Sequence, residues 1–258
     1  MAFRMNSSEM QVSRLPHRRV RGLFAVLFFV WIAIHSGCGW NAKTLNGQAV
    51  ASFQQGNYDA AKASLHQAMS HDPKNPHVYY NLARSHHETW KLQQNESDLM
   101  QAKSYYEHCL RFDADHAACN RGLAVLLVEQ DRSEEAFTLL ENWSLRSPHL
   151  AAPKVELARL YEEFGETDTA KEKLVEALAA EPQNSRALAA LGKIREQQGD
   201  LSQALADYQR ALATDPNQTG VATRIAALQA SGVQANLPLD ATSSARSRTT
   251  IMGPPIFR

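Results

Sequence analysis

The sequence predicts an all-α protein, a solenoid of five helical hairpins closed by a C-terminal capping helix. Three observations carry this reading. Pro148, Pro182 and Pro216 stand 34 residues apart, and a fixed period of that size marks a stack of supersecondary units. Apolar residues recur three and four positions apart within each unit, which places one stripe along one helix face. Breakers fall between the stripes: Gly56, Gly165 and Gly199 supply left-handed turns at helix ends, and proline stops the second helix.

The repeating signature is Ala, then Leu or an aromatic four residues on, a small residue three further, and Pro five beyond. It reads Ala61, Leu65, Ala68, Pro73; Ala102, Tyr106, Cys109, with Ala114 in place of Pro; Ala136, Leu140, Trp143, Pro148; Ala170, Leu174, Ala177, Pro182; and Ala204, Tyr208, Ala211, Pro216. Upstream of each lies a first-helix set: Leu45, Ala49; Tyr79, Leu82, Ala83; Leu123, Ala124, Leu127; Leu157, Ala158, Tyr161; Leu188, Leu191, Gly192. Ala49, Ala83, Ala124, Ala158 and Gly192 are small where two helix axes are expected to approach closely.

This pattern resembles the tetratricopeptide repeat, as found in bacterial tetratricopeptide lipoproteins. Five units tile residues 42–75, 76–116, 117–150, 151–184 and 185–218, and the resemblance implies a right-handed superhelical solenoid whose first helices line a concave groove. Carried onto this sequence, the groove-facing places include Tyr80, Arg84, His87, Arg121, Val125, Arg159, Arg186 and Lys193. Arg84, Arg159 and Lys193 share one slot, so a basic line is expected that takes acidic or C-terminal carboxylate groups of an extended peptide. Glu88, Glu129, Glu162, Glu163 and Glu196 are interleaved, and a mixed solvated face is the competing reading. The Lys and Asn pattern of chaperone-tail binders is absent apart from Asn81.

The second unit exceeds 34 residues by seven, inserted around Trp90–Leu99. Seven residues is about two helical turns, so each helix of that hairpin can gain one turn without changing its packing face. Residues 219–230 read as the capping helix and 231–258, rich in Ser, Thr, Pro and Arg, as a disordered tail.

Residues 1–37 read as an export signal: a basic head ending at Arg21, the charge-free run Leu23–Ile34, then Ser36 and Gly37 before Cys38. Ser36-Gly37-Cys38 resembles the end of a bacterial lipobox, with His35 where Leu is usual, and implies lipidation at Cys38. The alternative is an uncleaved membrane anchor, since no Asp, Glu, Lys or Arg occurs from Gly22 through Ala42.

Composition narrows the function classes. Lys+Arg and Asp+Glu both total 27, and with the five arginines and one glutamate of the signal set aside the remainder is slightly acidic, which argues against nucleic-acid binding. No phosphate loop or nucleophile elbow occurs, so no enzyme activity and no cofactor are expected. His86 and His87 are adjacent on a helix, about 100° apart, and cannot easily share a metal. Cys109 and Cys119 admit two readings, a disulfide in an oxidising compartment or two small core residues. The expected function is a membrane-anchored, extracytoplasmic scaffold in the cell envelope, binding proteins or extended peptides and no small-molecule substrate, in envelope assembly or secretion. The alternative is an accessory subunit of an envelope enzyme or glycan-handling complex.

Overall fold

The computed structural model describes residues 41–235. The export segment, Cys38 and residues 236–258 lie outside the described residues. Among those described, the backbone forms eleven helices and no strand. None of these helices is long and apolar enough to cross a membrane.

The chain divides into two compact units at Phe112 and Asp113. The first contains α1 (41–54), α2 (Tyr58–His71), α3 (Pro76–Gln93) and α4 (Glu96–Phe112). The second contains α5 (Ala117–Val128), α6 (Ser133–Arg146), α7 (Ala152–Glu163), α8 (Thr167–Ala180), α9 (Ser185–Gln197), α10 (Leu201–Thr214) and α11 (Thr219–Ala230). Short turns join each helix to the next, and consecutive helices of the second unit pack against each other from α5 to α11.

Local chemistry sets the helix ends. Asn57 accepts a hydrogen bond from Ala60 N at the start of α2, Asn75 from His77 N ahead of Pro76 in α3, and Asn184 from Ala187 N at α9. Each side-chain oxygen satisfies one of the amide groups that a helix start leaves without a partner. At the hairpin turns the backbone is left-handed, with φ of 76°, 82° and 85° at Gly56, Gly165 and Gly199. The remaining two hairpins reach that geometry with Gln94 (φ 53°) and Asp131 (φ 59°), a place where the sequence offered no glycine to mark the turn.

The repeating signature is the core. Ala61, Leu65 and Ala68 pack with Ala49, Val78 and Leu82 in the first unit. In the second unit Ala170, Leu174 and Ala177 pack with Val155, Ala158, Leu191 and Ile194. Leu140 and Leu174 are at most 1% exposed, and burial of each such side chain contributes about 1.5–3 kcal/mol. Trp143 fills a slot that is small in most other units; its indole N–H donates to Asp115 Oδ1 at 2.8 Å, so the larger ring is buried without leaving its donor unpaired.

The lengthened hairpin grew in both helices. α3 has 18 residues and α4 has 17, against 12 or 13 for α5, α7 and α9 and 14 for α6, α8 and α10. Trp90 is half-buried and lies beside His87 with ring centroids 5.9 Å apart. Leu92 and Met100 are the exposed apolar residues there.

α11 lies on the last hairpin, with Leu228, Val221 and Ile225 against Leu205 and Tyr208. Packing continues past it: Val233 N donates to Leu228 O at 3.1 Å, and Val233 and Ala235 join the same cluster. The packed chain therefore runs to 235 and takes in the first five residues, 231–235, of the expected tail. A hydrophobic residue just past a helix end packs back onto it, a contact that composition alone does not reveal.

Gly192 shows why one crossing position is small. A Cβ there would stand 2.9 Å from two ring carbons of Tyr208 and 3.2 Å from the carbonyl oxygen of Ala204. Gly192→Val is therefore expected to destabilise the second unit by about 1–3 kcal/mol, read as a lower denaturation midpoint with an unchanged slope.

Candidate functional site

The first helices of the second unit, α5, α7 and α9, carry most of the polar residues expected in the groove. At their centre is a residue that sequence reading missed, Glu156 on α7, whose side chain has no solvent exposure. Arg121 of α5 donates to it from Nε, 2.9 Å from each carboxylate oxygen, and from Nη2 at 2.6 Å. Arg186 of α9 donates from Nη2 at 2.5 Å. Arg159, one turn along α7, holds Nε 3.6 Å from Oε2. Three arginines from three helices thus converge on one buried carboxylate.

A buried carboxylate without partners would take up a proton. Burial does push the Glu156 carboxyl upward, but hydrogen bonds and charge from Arg121 and Arg186 outweigh it and hold the group below the ordinary glutamate value. Glu156 is therefore ionised at neutral pH. The expected line of free cations becomes an ordered ion network instead, because the decisive anion lies beneath them rather than among them on the solvated face.

The rest of that face is paired as well. Lys193 Nζ lies 2.5 Å from Glu162 Oε1, Arg159 Nη1 donates to Glu163 at 2.9 Å, and Arg224 of α11 clasps Glu196 at 2.7 and 3.0 Å. Tyr208 also donates to Glu196, at 2.9 Å. Arg159 is the least committed: its Nε and Nη2 are turned inward and make no hydrogen bond. Val125 is half-buried on α5.

Between α7, α8, α9 and the start of α11 lies a cavity of about 310 Å³. Its apolar walls are Val155, Ala158, Leu174, Ala189 and Ala190; its polar lining is Arg159, Glu162, Arg186, Lys193 and Gln218. Sites of this kind combine an apolar body with a few convergent polar groups. A wider depression of about 660 Å³ on the outer face of α8 is lined by Asp168, Lys171, Glu172, Val175 and Glu176. That surface belongs to a single helix and converges on nothing.

In the first unit, the expected groove residues behave differently. Arg84 lies over the Phe53 ring at 4.0 Å from its centroid, a cation–π arrangement. Tyr80 is half-buried beside Tyr106, 6.4 Å between centroids. His87 is buried, with Nδ1 3.4 Å from the Tyr106 hydroxyl; it packs in the hairpin and cannot line an open groove. Its neighbour His86 gives Nδ1 to Asp98 at 2.7 Å, and Asp98 also receives Asn95 Nδ2 at 3.1 Å. Burial lowers the His86 pKa in spite of that contact. The pair joins α3 to the first turn of α4. Cys109 and Cys119 are each fully buried, one in each unit.

One relationship joins sequence to site. Asn81 donates to Asn46 at 2.8 Å across 35 residues, and Arg121 reaches Glu156 across the same 35. Corresponding slots of adjacent first helices therefore meet, and an ion pair stands in the second unit where an amide pair stands in the first. The 35-residue spacing from Arg121 marks Glu156 in the sequence.

Residues 155–219 match the family model for the tetratricopeptide repeat, and residues 27–121 match that for the coatomer epsilon subunit. No curated protein sequence matches the chain. Among solved structures, TTC0263, a thermophilic TPR protein of Thermus thermophilus, is 24% identical, with 73% of this chain and 99% of that one covered and a TM-score of 0.53. PilF of Pseudomonas aeruginosa is 18% identical, with coverages of 76% and 91% and a TM-score of 0.47. YrrB, described as a TPR protein with an unusual peptide-binding site, is 16% identical, with coverages of 74% and 94% and a TM-score of 0.39. Residues 155–219 thus carry a tetratricopeptide repeat, and the likeness to TTC0263 shows the fold.

Glu156 gives the second unit a pH signature. Its folded pKa is depressed, so the unfolded chain takes up the proton first on acidification; its contribution is present above the unfolded pKa and is lost as pH falls through the folded one. Asp115, with Ser147 and Trp143 donating to it, and Glu181, with the Ala151 amide donating, act in the same direction. Glu156→Gln is expected to cost about 1–3 kcal/mol at neutral pH and to flatten, without abolishing, the acid limb of stability in denaturant titrations at several pH values.

Proposed function

We propose that the protein is an interaction scaffold, attached to the outer face of a membrane through its N-terminus, that binds extended segments of partner proteins along α5, α7 and α9. The tetratricopeptide fold suits this role, because a stack of hairpins presents side chains from successive first helices at regular spacing. The observation that carries the reading is the network centred on Glu156, with an apolar cavity beside it. Guanidinium groups held in fixed orientation lose less freedom on binding than mobile ones, and pre-organisation of that kind raises affinity. An N-terminal basic head, apolar run and Cys38 support export and attachment.

Two measurements test the two halves of the proposal. An array of immobilised random peptides is expected to retain the full chain, and Arg186→Glu with Lys193→Glu is expected to weaken retention about tenfold or more, since like-charged groups replace attractive ones. Equal retention by the variant would remove the groove from the account. For the anchor, an alkyne fatty-acid label is expected on the wild type and not on Cys38→Ala. Unlabelled but still membrane-bound wild type would assign attachment to the apolar segment instead.

A further inference from the structure

We propose that His86, Asp98 and Lys62 form an acid-sensitive clasp in the first unit: at neutral pH it holds the first turn of α4 to α3 and α2, and a proton on His86 releases it and frees the tip of the lengthened hairpin. The inference is independent of the groove. Three helices meet at one carboxylate. Asp98 of α4 lies 2.7 Å from His86 Nδ1 of α3 and 3.7 Å from Lys62 Nζ of α2, and its second oxygen accepts from Asn95 Nδ2 at 3.1 Å. Lys62 also contacts Asp59 at 2.9 Å and donates to Thr89 Oγ1 at 3.4 Å. The His86 and Asp98 side chains are each 12% exposed, and the imidazole stacks on Tyr105 with ring centroids 5.5 Å apart.

The protonation state follows from the donors. A carboxylate only accepts, so a neutral imidazole keeps its hydrogen on Nδ1 and leaves Nε2 as a lone pair. Nε2 is buried and has no hydrogen-bond partner. A second proton therefore creates an enclosed N–H without an acceptor, together with a second cation beside Lys62, and both are costly. The charges around the ring are mixed. Lys62 and His66 of α2 oppose the imidazolium; Asp98 of α4 and Asp59 of α2 favour it, but Asp59 is 88% exposed and is screened by solvent. Burial outweighs the contact with Asp98 and holds His86 below the ordinary histidine value. Water reaching Nε2 in an opened hairpin removes that penalty, so the proton goes to the open form first. The contribution of the clasp is present above the unfolded value of about 6.5 and is lost as pH falls through the folded one.

The tip has little else to hold it. α4 has 17 residues against 14 for α2, and Ala102 is the seventh residue of α4 where Ala61 is the fourth of α2. The added turn of α4 therefore lies at its start, beside the hairpin turn, and residues 91–97 are all exposed. Leu92 and Met100, on either side of that turn, are 71% and 66% exposed. Segments with few buried contacts open locally at a fraction of the global free energy. Release of the clasp thus changes how these two apolar side chains are presented and leaves the packed core of Ala61, Leu65 and Leu82 in place.

The test is hydrogen exchange by mass spectrometry on the full chain in detergent, at about pH 7.5 and about pH 5.5 to bracket the ordinary histidine range, with each rate scaled to the intrinsic rate at that pH. Peptides covering 87–101 are expected to exchange at least about threefold faster at the lower pH, while those covering α10 keep their rate. His86→Phe retains a ring against Tyr105 but binds no proton, and it is expected to abolish the step. His71→Gln, at an exposed histidine in the last turn of α2, is expected to preserve it. A wild type without the step, or a step that survives in a folded His86→Phe, would overturn the clasp. An NMR titration of the wild-type imidazoles needs no variant to fold: the His86 midpoint is expected below about 6.5, and a midpoint at or above that value overturns the inference.

Discussion

The second unit depends on one carboxylate that is out of reach of water. Glu156 has no exposure, yet it is ionised, and it stays so because Arg121 and Arg186 reach it from the helices on either side of α7. Desolvating an ion of that size costs several kcal/mol, which only close opposite charge and saturated hydrogen bonds can offset. Here the arginines remain partly exposed and retain some hydration, while the glutamate is fully enclosed. The arrangement ties α5, α7 and α9 together at the level of the groove, and it fixes where the guanidinium groups point.

Stability alone does not account for such a choice. Buried ion pairs are often matched or exceeded by apolar residues of the same volume, and the neighbouring crossings in this protein use alanine, leucine and glycine. The corresponding slots in the first unit hold the neutral pair Asn46 and Asn81, which joins adjacent first helices without any charge. What the charged version adds is a set of oriented donors beside an apolar cavity. The distinction between the units is thus chemical: a common hairpin frame, with amides and aromatics on one part and a carboxylate-centred arginine cluster on the other.

Much of the frame was legible in the sequence because it is periodic. Ala170, Leu174 and Ala177 recur in register with Ala204, Tyr208 and Ala211, and every one of them is buried; the close approach demanded at Gly192 is real, with Tyr208 against it. Two features escaped for definite reasons. The turns at Gln94 and Asp131 adopt positive φ without glycine, so composition gave no mark for them. Charge marks exposure for most residues, yet Glu156, Asp98 and Asp207 are each buried against a cation or an imidazole. Each partner stands on another helix, 12 residues away for Asp98 and Asp207 and 30 to 35 away for Glu156, and a scan within a single helix does not see it.

Glu156 couples directly to the arginines rather than merely filling space beneath them. A double-mutant cycle of Glu156→Gln and Arg186→Gln, followed by denaturant unfolding at neutral pH, measures that coupling. A favourable interaction energy of about 1–3 kcal/mol is predicted for charge-assisted contacts at a buried carboxylate. Additive effects of the two substitutions, with no coupling beyond error, would contradict it.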